Sequence, residues 1–253
     1  MPTSTDSGAA EKLLVALDVD SADRALALAR ELRDSAGGFK IGSRLFTLEG
    51  PSFVRRLADD GLRVFLDLKF HDIPNTVAQA VEAAVQTGAW MINVHASGGA
   101  AMMQAAARAG ADAASRHGRA APLMIAVTVL TSMDEPTLRD IGVERPLIEQ
   151  VLRLARMTQQ AGLAGVVASA RESAAIRDAC GPGFTIVTPG IRGAGAQADD
   201  QARTTGPAEA VRAGATYIVV GRPIIAAPHP RGAAEAIVEE IRAIAKGSPV
   251  TSP

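Results

Sequence analysis

Eight short apolar runs recur along this 253-residue chain, and each is followed by a stretch with helical spacing. The runs are Leu13 to Leu17, Phe39 to Gly42, Val64 to Lys69, Met91 to His95, Leu123 to Val129, Gly165 to Ala168, Phe184 to Thr188 and Tyr217 to Val220. They are strand-sized and nearly continuous in apolar character, as parallel strands covered on both faces must be. Eight strand–helix alternations in this length predict an α/β fold, a single (β/α)8 TIM barrel. A doubly wound sheet is the competing arrangement. It usually carries a glycine-rich turn after its first strand. Here that strand runs into Asp18-Val19-Asp20-Ser21, which has no glycine. No linker divides the chain. The barrel is expected over residues 11–246, as the catalytic domain, between a disordered N-terminal tail at 1–10 and a C-terminal tail at 247–253. The alanine-rich stretch from Ala100 to Ala114 reads as helix, because alanine is the strongest helix former.

Several classes of function are disfavoured at once. A formal net charge of −1 provides no basic field for nucleic acid or an anionic membrane. No apolar run is long enough for a membrane-spanning helix, and the polar N-terminus lacks a signal-peptide pattern. Cys180 is the only cysteine, so no intramolecular disulfide can form, which fits a cytoplasmic location. It reads as an inert thiol. The four histidines show no paired spacing, so no zinc or other metal site is expected. No glycine-rich nucleotide loop is present, which leaves a nucleotide cofactor without support. Trp90 and the Met102-Met103 pair read as packing residues.

Chemistry in such a barrel gathers at the C-terminal ends of the strands. Those ends carry Asp18, Lys40, Asp67 with Lys69, His95, Thr131, Arg192 and Arg222. In the third strand Val64, Leu66 and Leu68 share one face, and Phe65, Asp67 and Lys69 share the other. Asp72 follows just past the strand end. Pro74 stops the strand, and Asn75 or Thr76 is expected to cap a helix starting at Val77. From charge spacing alone, the Asp–Lys–Asp cluster is either a structural ion-pair network or a site. His71 reads as structural. His95 either lines the mouth or hydrogen-bonds a neighbour. At the end of the last strand, Gly221 allows an anion close to the backbone and Arg222 can bind it bidentately. Loops after the seventh and eighth strands form the common phosphate site of barrels. The long loop from Gly190 to Thr205 is expected to be a lid over that phosphate.

The run Asp67-Leu68-Lys69-Phe70-His71-Asp72-Ile73-Pro74-Asn75-Thr76 resembles the signature of the orotidine 5′-phosphate decarboxylase family. The resemblance continues through Ala16-Leu17-Asp18, Phe39-Lys40-Ile41-Gly42, Val127-Thr128-Val129-Leu130-Thr131-Ser132, Thr188-Pro189-Gly190-Ile191-Arg192, Asp200-Gln201-Ala202-Arg203 and Val220-Gly221-Arg222-Pro223-Ile224. It implies a homodimeric barrel that converts orotidine 5′-monophosphate to uridine 5′-monophosphate and carbon dioxide, with no metal and no organic cofactor. It assigns Lys69 as proton donor and places Asp67 beside the departing carboxylate. Asp72 and Thr76 would reach the neighbouring subunit's site. Asp18 and Lys40 would hold ribose hydroxyls, and Thr131 or the adjacent Ser132 the pyrimidine edge. Arg192, Gln201, Gly221 and Arg222 would grip the phosphate. Residues 193–199 match no pattern. Two other readings stay open at this stage: a magnesium-dependent sugar-phosphate relative such as hexulose-phosphate synthase, and a non-catalytic phosphate-binding barrel.

Overall fold

β1 (Leu13–Ala16) pairs in parallel with both β2 (Gly38–Gly42) and β8 (Tyr217–Val220), and this double pairing closes the sheet. Between them run β3 (Val64–Phe70), β4 (Met91–His95), β5 (Leu123–Val127), β6 (Gly165–Val167) and β7 (Thr185–Thr188), in sequential order around one closed parallel barrel. The expected (β/α)8 fold is therefore present. The structure is a computed structural model that describes residues 8–192 and 205–245. Residues 8–10 are helical and Ala9 is buried, so order begins inside the stretch expected to be a tail.

Strand periodicity sorts the side chains into two cores. Leu13, Val15, Phe39, Ile41, Val64 and Leu66 face outward, under the helices. Leu14, Ala16, Phe65, Met91, Val187 and Val219 fill the barrel interior. The same alternation carries upward: Asp67 stands above Phe65, and Gly221 above Val219. Apolar interior residues thus become the floor on which the polar mouth residues stand. Trp90 packs edge-to-face on Tyr217 at 5.3 Å beside this interior core, and Met102 and Met103 are fully buried, as packing residues should be.

The helices are α1 (Ala22–Leu32), α2 (Ser43–Asp59), α3 (Pro74–Gln86), α4 (Gly99–Arg116), α5 (Glu135–Asp140), α6 (Leu147–Gln160), α7 (Ala170–Cys180), α8 (Pro207–Arg212), α9 (Arg222–Ile225) and α10 (Pro230–Ala245). Three differences from the sequence expectations have local causes. The sequence spacing predicts a helix from about Pro51 to Asp60, whereas α2 begins at Ser43; Gly50, at φ 71, breaks it in two, and only its second half shows the apolar spacing of a helix. α3 begins at Pro74 itself, with Ile73 as its N-cap and no side-chain capping bond, so neither Asn75 nor Thr76 is the cap. Proline suits the first helical turn because its missing N–H has no intrahelical partner there anyway. β5 ends at Val127, where Thr128 turns its hydroxyl to the carbonyl of Val167 instead of continuing the strand. Among the described residues no helix is long and apolar enough to cross a membrane.

Arg177 of α7 fastens the lower ends of β7 and β8. Its Nη1 donates to the carbonyls of Gly181, Pro182 and Phe184 at 2.7–2.9 Å, and its Nη2 to the Gly214 carbonyl at 2.8 Å and Thr216 Oγ1 at 3.2 Å. Replacing it by alanine strips a charged donor from several carbonyls at once. Arg177→Ala is expected to lower stability by about 2 kcal/mol, seen as a fall in Tm of about 6 °C. A Tm within about 1 °C of the parent would show that the fastening contributes little.

Candidate active site

Asp67 is the meeting point of the barrel mouth. Its Oδ1 accepts from Lys69 Nζ at 2.7 Å and from Asn93 Nδ2 at 2.7 Å. Its Oδ2 faces Lys40 Nζ at 3.5 Å, and Lys40 donates in turn to Asp18 Oδ1 at 3.0 Å. Carboxylate and ammonium therefore alternate across the ends of β1, β2 and β3. The register explains why they meet. Ala16 pairs with Lys40, and Gly42 with Asp67, so the long Lys40 side chain rises between the two carboxylates. A Cβ at Gly42 would lie 3.0 Å from Lys40 Nζ and 3.3 Å from Asp18 Oδ1. Glycine leaves that space to the ion pair.

Lys69 owes its position to a bulge. Leu66 pairs with Ile92 and Phe70 with Val94, so β3 advances four residues while β4 advances two. The surplus backbone lifts Lys69 into the left-handed region, at φ 54, the one non-glycine residue there among the described residues. Its backbone N–H is out of the ladder and donates to Asn93 Oδ1 at 2.8 Å. The Lys69 side chain is about 36% exposed against 12% for Asp67, so its ammonium faces open space while its partner stays buried.

That space is a cavity of about 450 Å³, within the range of small-molecule sites. It is lined by Asp18, Lys40, Asp67 and Lys69 on one side and by Arg192, Gly221 and Arg222 on the other. Thr131 also lines it; Ser132 does not. A Cβ on Gly221 would meet only ordinary contacts, with Ala16 Cβ at 3.4 Å, so a bare backbone faces the cavity at a point where packing does not demand one. Arg192 enters through a short pairing of Ile191 with Thr205. Gln201 and most of the expected lid lie outside the described residues.

Two expected site residues stand elsewhere. Asp72 and Thr76 are exposed and do not line the cavity of their own chain. The Asp72 carboxylate accepts from the N–H of Ile73, itself 67% exposed. His95 does not line the cavity either; its ring sits 5.4 Å from that of His71. No motif in the sequence marks Asn93, although a polar residue on the inner face of an apolar strand is a usable signal. Cys180 is buried, and burial pushes its thiol pKa up, away from reactivity. Among the described residues no group of three or more His, Cys, Asp or Glu side chains is arranged to hold a metal ion.

A parallel barrel with alternating fixed charges at its C-terminal mouth, facing two arginines across an apolar floor, defines a (β/α)8-barrel enzyme of the kind that handles small anionic substrates. Comparison with known proteins narrows the class. The model of the orotidine 5′-phosphate decarboxylase / HUMPS family matches residues 11–237. The chain is 54% identical to orotidine 5′-phosphate decarboxylase of Moorella thermoacetica, over 93% of this chain and 94% of that one. It is 52% identical to the enzyme of the same name from Syntrophotalea carbinolica, over 93% and 96%. The crystal structure of orotidine 5′-phosphate decarboxylase from Lactobacillus acidophilus superposes with a TM-score of 0.81 at 37% identity, covering 90% of this chain and 98% of that one. The chain belongs to the orotidine 5′-phosphate decarboxylase / HUMPS family.

The His95 environment has a consequence for stability. Burial, then the charges of His71 and Lys69, hold its imidazole below the ordinary value, with Asp67 opposing them. The unfolded chain therefore takes up this proton first as pH falls. The stabilisation is present above the unfolded value of about 6.5 and is lost as pH drops below it. The stability of the parent relative to His95→Gln should fall between about pH 7.5 and about pH 5.5, read from thermal unfolding at both. A difference that grows on acidification would contradict this.

Proposed function

We propose that this barrel decarboxylates orotidine 5′-monophosphate to uridine 5′-monophosphate and carbon dioxide, with Lys69 as proton donor in an Asp–Lys–Asp network formed by Asp67 and Lys69 of one subunit and Asp72 of its neighbour. The reaction is the last step of de novo UMP biosynthesis, and the enzyme is a carboxy-lyase. The observation that carries the assignment of Lys69 is its partly exposed side chain, whose ammonium is held 2.7 Å from the buried Asp67 and lines the cavity.

The chemistry follows from fixed charge. Breaking the bond between the pyrimidine and its carboxylate releases carbon dioxide and leaves the electron pair on the ring carbon. The ring delocalises that pair poorly. An ammonium already aimed at the carbon stabilises the developing charge without reorganising, then transfers its proton to it. Lys69 becomes a neutral amine and regains a proton from solvent. Asp67 sits beside the substrate carboxylate and disfavours the ground state, an effect secondary to the preorganised ammonium. The apolar floor strengthens each of these interactions by excluding water.

Binding is divided around the mouth. Asp18 and Lys40 hold ribose hydroxyls, and Thr131 meets the pyrimidine edge. Arg192, Gly221 and Arg222 grip the phosphate, with Gln201 contributing from the connecting loop. Phosphate contacts far from the reacting carbon supply binding energy that holds the ring against Lys69. No metal and no organic cofactor takes part. The functional unit is a homodimer. The exposure of Asp72, Ile73 and Thr76 supports it, since these residues then complete the neighbouring subunit's site. The single catalytic domain spans residues 11–246. A cytoplasmic location accords with one unpaired, buried cysteine.

Orotidine 5′-monophosphate should lose its ultraviolet absorbance on mixing with the parent protein, at the same rate with and without a chelator. Lys69→Ala should lower kcat at least about 10³-fold with KM changed only a few-fold. Near-normal turnover in that variant would remove Lys69 from its role. The shared site has its own test. Lys69→Ala and Asp72→Asn, each inactive alone, should on subunit exchange recover about one quarter of parental activity, because half the dimers carry one intact site. No recovery after verified exchange would place Asp72 outside the neighbouring site.

A further inference from the structure

We infer that Asn93 is the positioning residue that aims the Lys69 ammonium, acting on the backbone and on the partner carboxylate at once. The inference rests on the decarboxylase reading above and deepens it. Asn93 is fully buried in the middle of β4, on the inward face of an otherwise apolar strand. Its two amide atoms are both used. Oδ1 accepts the Lys69 N–H at 2.8 Å, and Nδ2 donates to Asp67 Oδ1 at 2.7 Å. The amide can point only one way, because a backbone N–H must donate and a carboxylate must accept.

The two bonds act on different parts of the same geometry. The bulge in β3 removes the Lys69 N–H from the ladder and puts Lys69 in a left-handed conformation that lysine rarely adopts. A half-buried N–H withdrawn from the ladder needs another partner, and Asn93 Oδ1 supplies it, so the bulge and its strained residue are held from β4. The second bond fixes the Asp67 oxygen that receives Lys69 Nζ at 2.7 Å. One amide thus sets both ends of the Lys69 side chain: the backbone it leaves from and the carboxylate that holds its tip. Asn93 does not line the cavity, so it acts on the substrate only through Lys69 and Asp67.

Three proteins test this: the parent, Asn93→Leu, which keeps the branching of the side chain and makes neither bond, and Asn93→Asp. The measurements are kcat and KM for orotidine 5′-monophosphate, the Kd of uridine 5′-monophosphate, and Tm. Asn93→Leu should lower kcat about 100-fold, the scale of a misplacement of about 1 Å, while KM and the Kd stay within about threefold. Asn93→Asp separates positioning from packing. Ionised, the introduced carboxylate accepts from the Lys69 N–H but repels Asp67. Protonated, it restores both bonds, its O–H donating to Asp67 and its C=O accepting from Lys69. Facing Asp67, its pKa is raised. The kcat of Asn93→Asp relative to the parent should therefore rise about tenfold from about pH 8 to about pH 6. The other charged or titratable groups around the pair are Lys69, Lys40 with its partner Asp18, His71 and His95, and they are common to all three proteins.

A kcat for Asn93→Leu within threefold of the parent, or a kcat loss matched by equal losses in product affinity, would overturn the inference. So would a flat Asn93→Asp ratio. If Asn93→Leu does not fold, the Asn93→Asp ratio decides alone. A parent that never turns over orotidine 5′-monophosphate removes the decarboxylase reading and this inference with it. A parent with turnover and unaffected variants removes the inference only.

Discussion

The mouth of this barrel is built around one buried carboxylate. Asp67 receives an ammonium from its own strand, an amide from β4 and a second ammonium from β2, and that last group links onward to Asp18 after β1. A carboxylate withdrawn from water is costly unless its lone pairs are met, and here three donors meet them. Ion pairs of this kind are weak evidence for added stability, because desolvation offsets much of their attraction. What they supply at this position is geometry. Four neighbouring chain segments can satisfy one carboxylate only in one arrangement, and that arrangement leaves the Lys69 ammonium turned toward the cavity.

The barrel makes this arrangement possible by separating its two cores. Outward residues such as Val64, Leu66 and Ile41 bind the helices and hold the strands together. Inward residues such as Phe65, Val187 and Val219 close the interior and stop below the polar layer. The polar layer is therefore supported from beneath and open above. Charges there interact across an apolar floor, where the effective dielectric is lower than in water and each contact is stronger. Among the described residues the bulge in β3 is the one departure from regular pairing between neighbouring strands, and it falls at Lys69.

Much of this was legible in the linear chain. The eight apolar runs predicted the barrel, and the alternation Phe65, Asp67, Lys69 predicted which face would carry charge. Thr131, Arg192, Gly221 and Arg222 were read as mouth residues from their places after apolar runs, and all four line the cavity. The misses share a cause. Ser43 to Leu48, Glu135–Asp140 and Arg222–Ile225 are helices whose local spacing is too short or too polar to be seen. α3 starts at Pro74 rather than Val77 because a proline, not a side-chain cap, opens its first turn. Of the two roles open to His95 at its strand end, lining the mouth is not the one it takes: its ring lies against that of His71.

The sequence by itself determined the architecture, the inward and outward faces of each strand, the charged residue types at the rim and the family motif, since each depends on local spacing and composition. Only the tertiary structure decided the rest. Asn93 became part of the site because β4 lies beside a bulged β3, and a bulge is a mismatch between two strands that neither strand displays alone. Asp72 and Thr76 were separated from the cavity of their own chain because the backbone after Phe70 leaves the barrel before reaching them. Pattern along a chain reports which groups are available. Which atoms meet is settled by register, closure and the filling of buried hydrogen-bonding groups, and these are properties of neighbours in space.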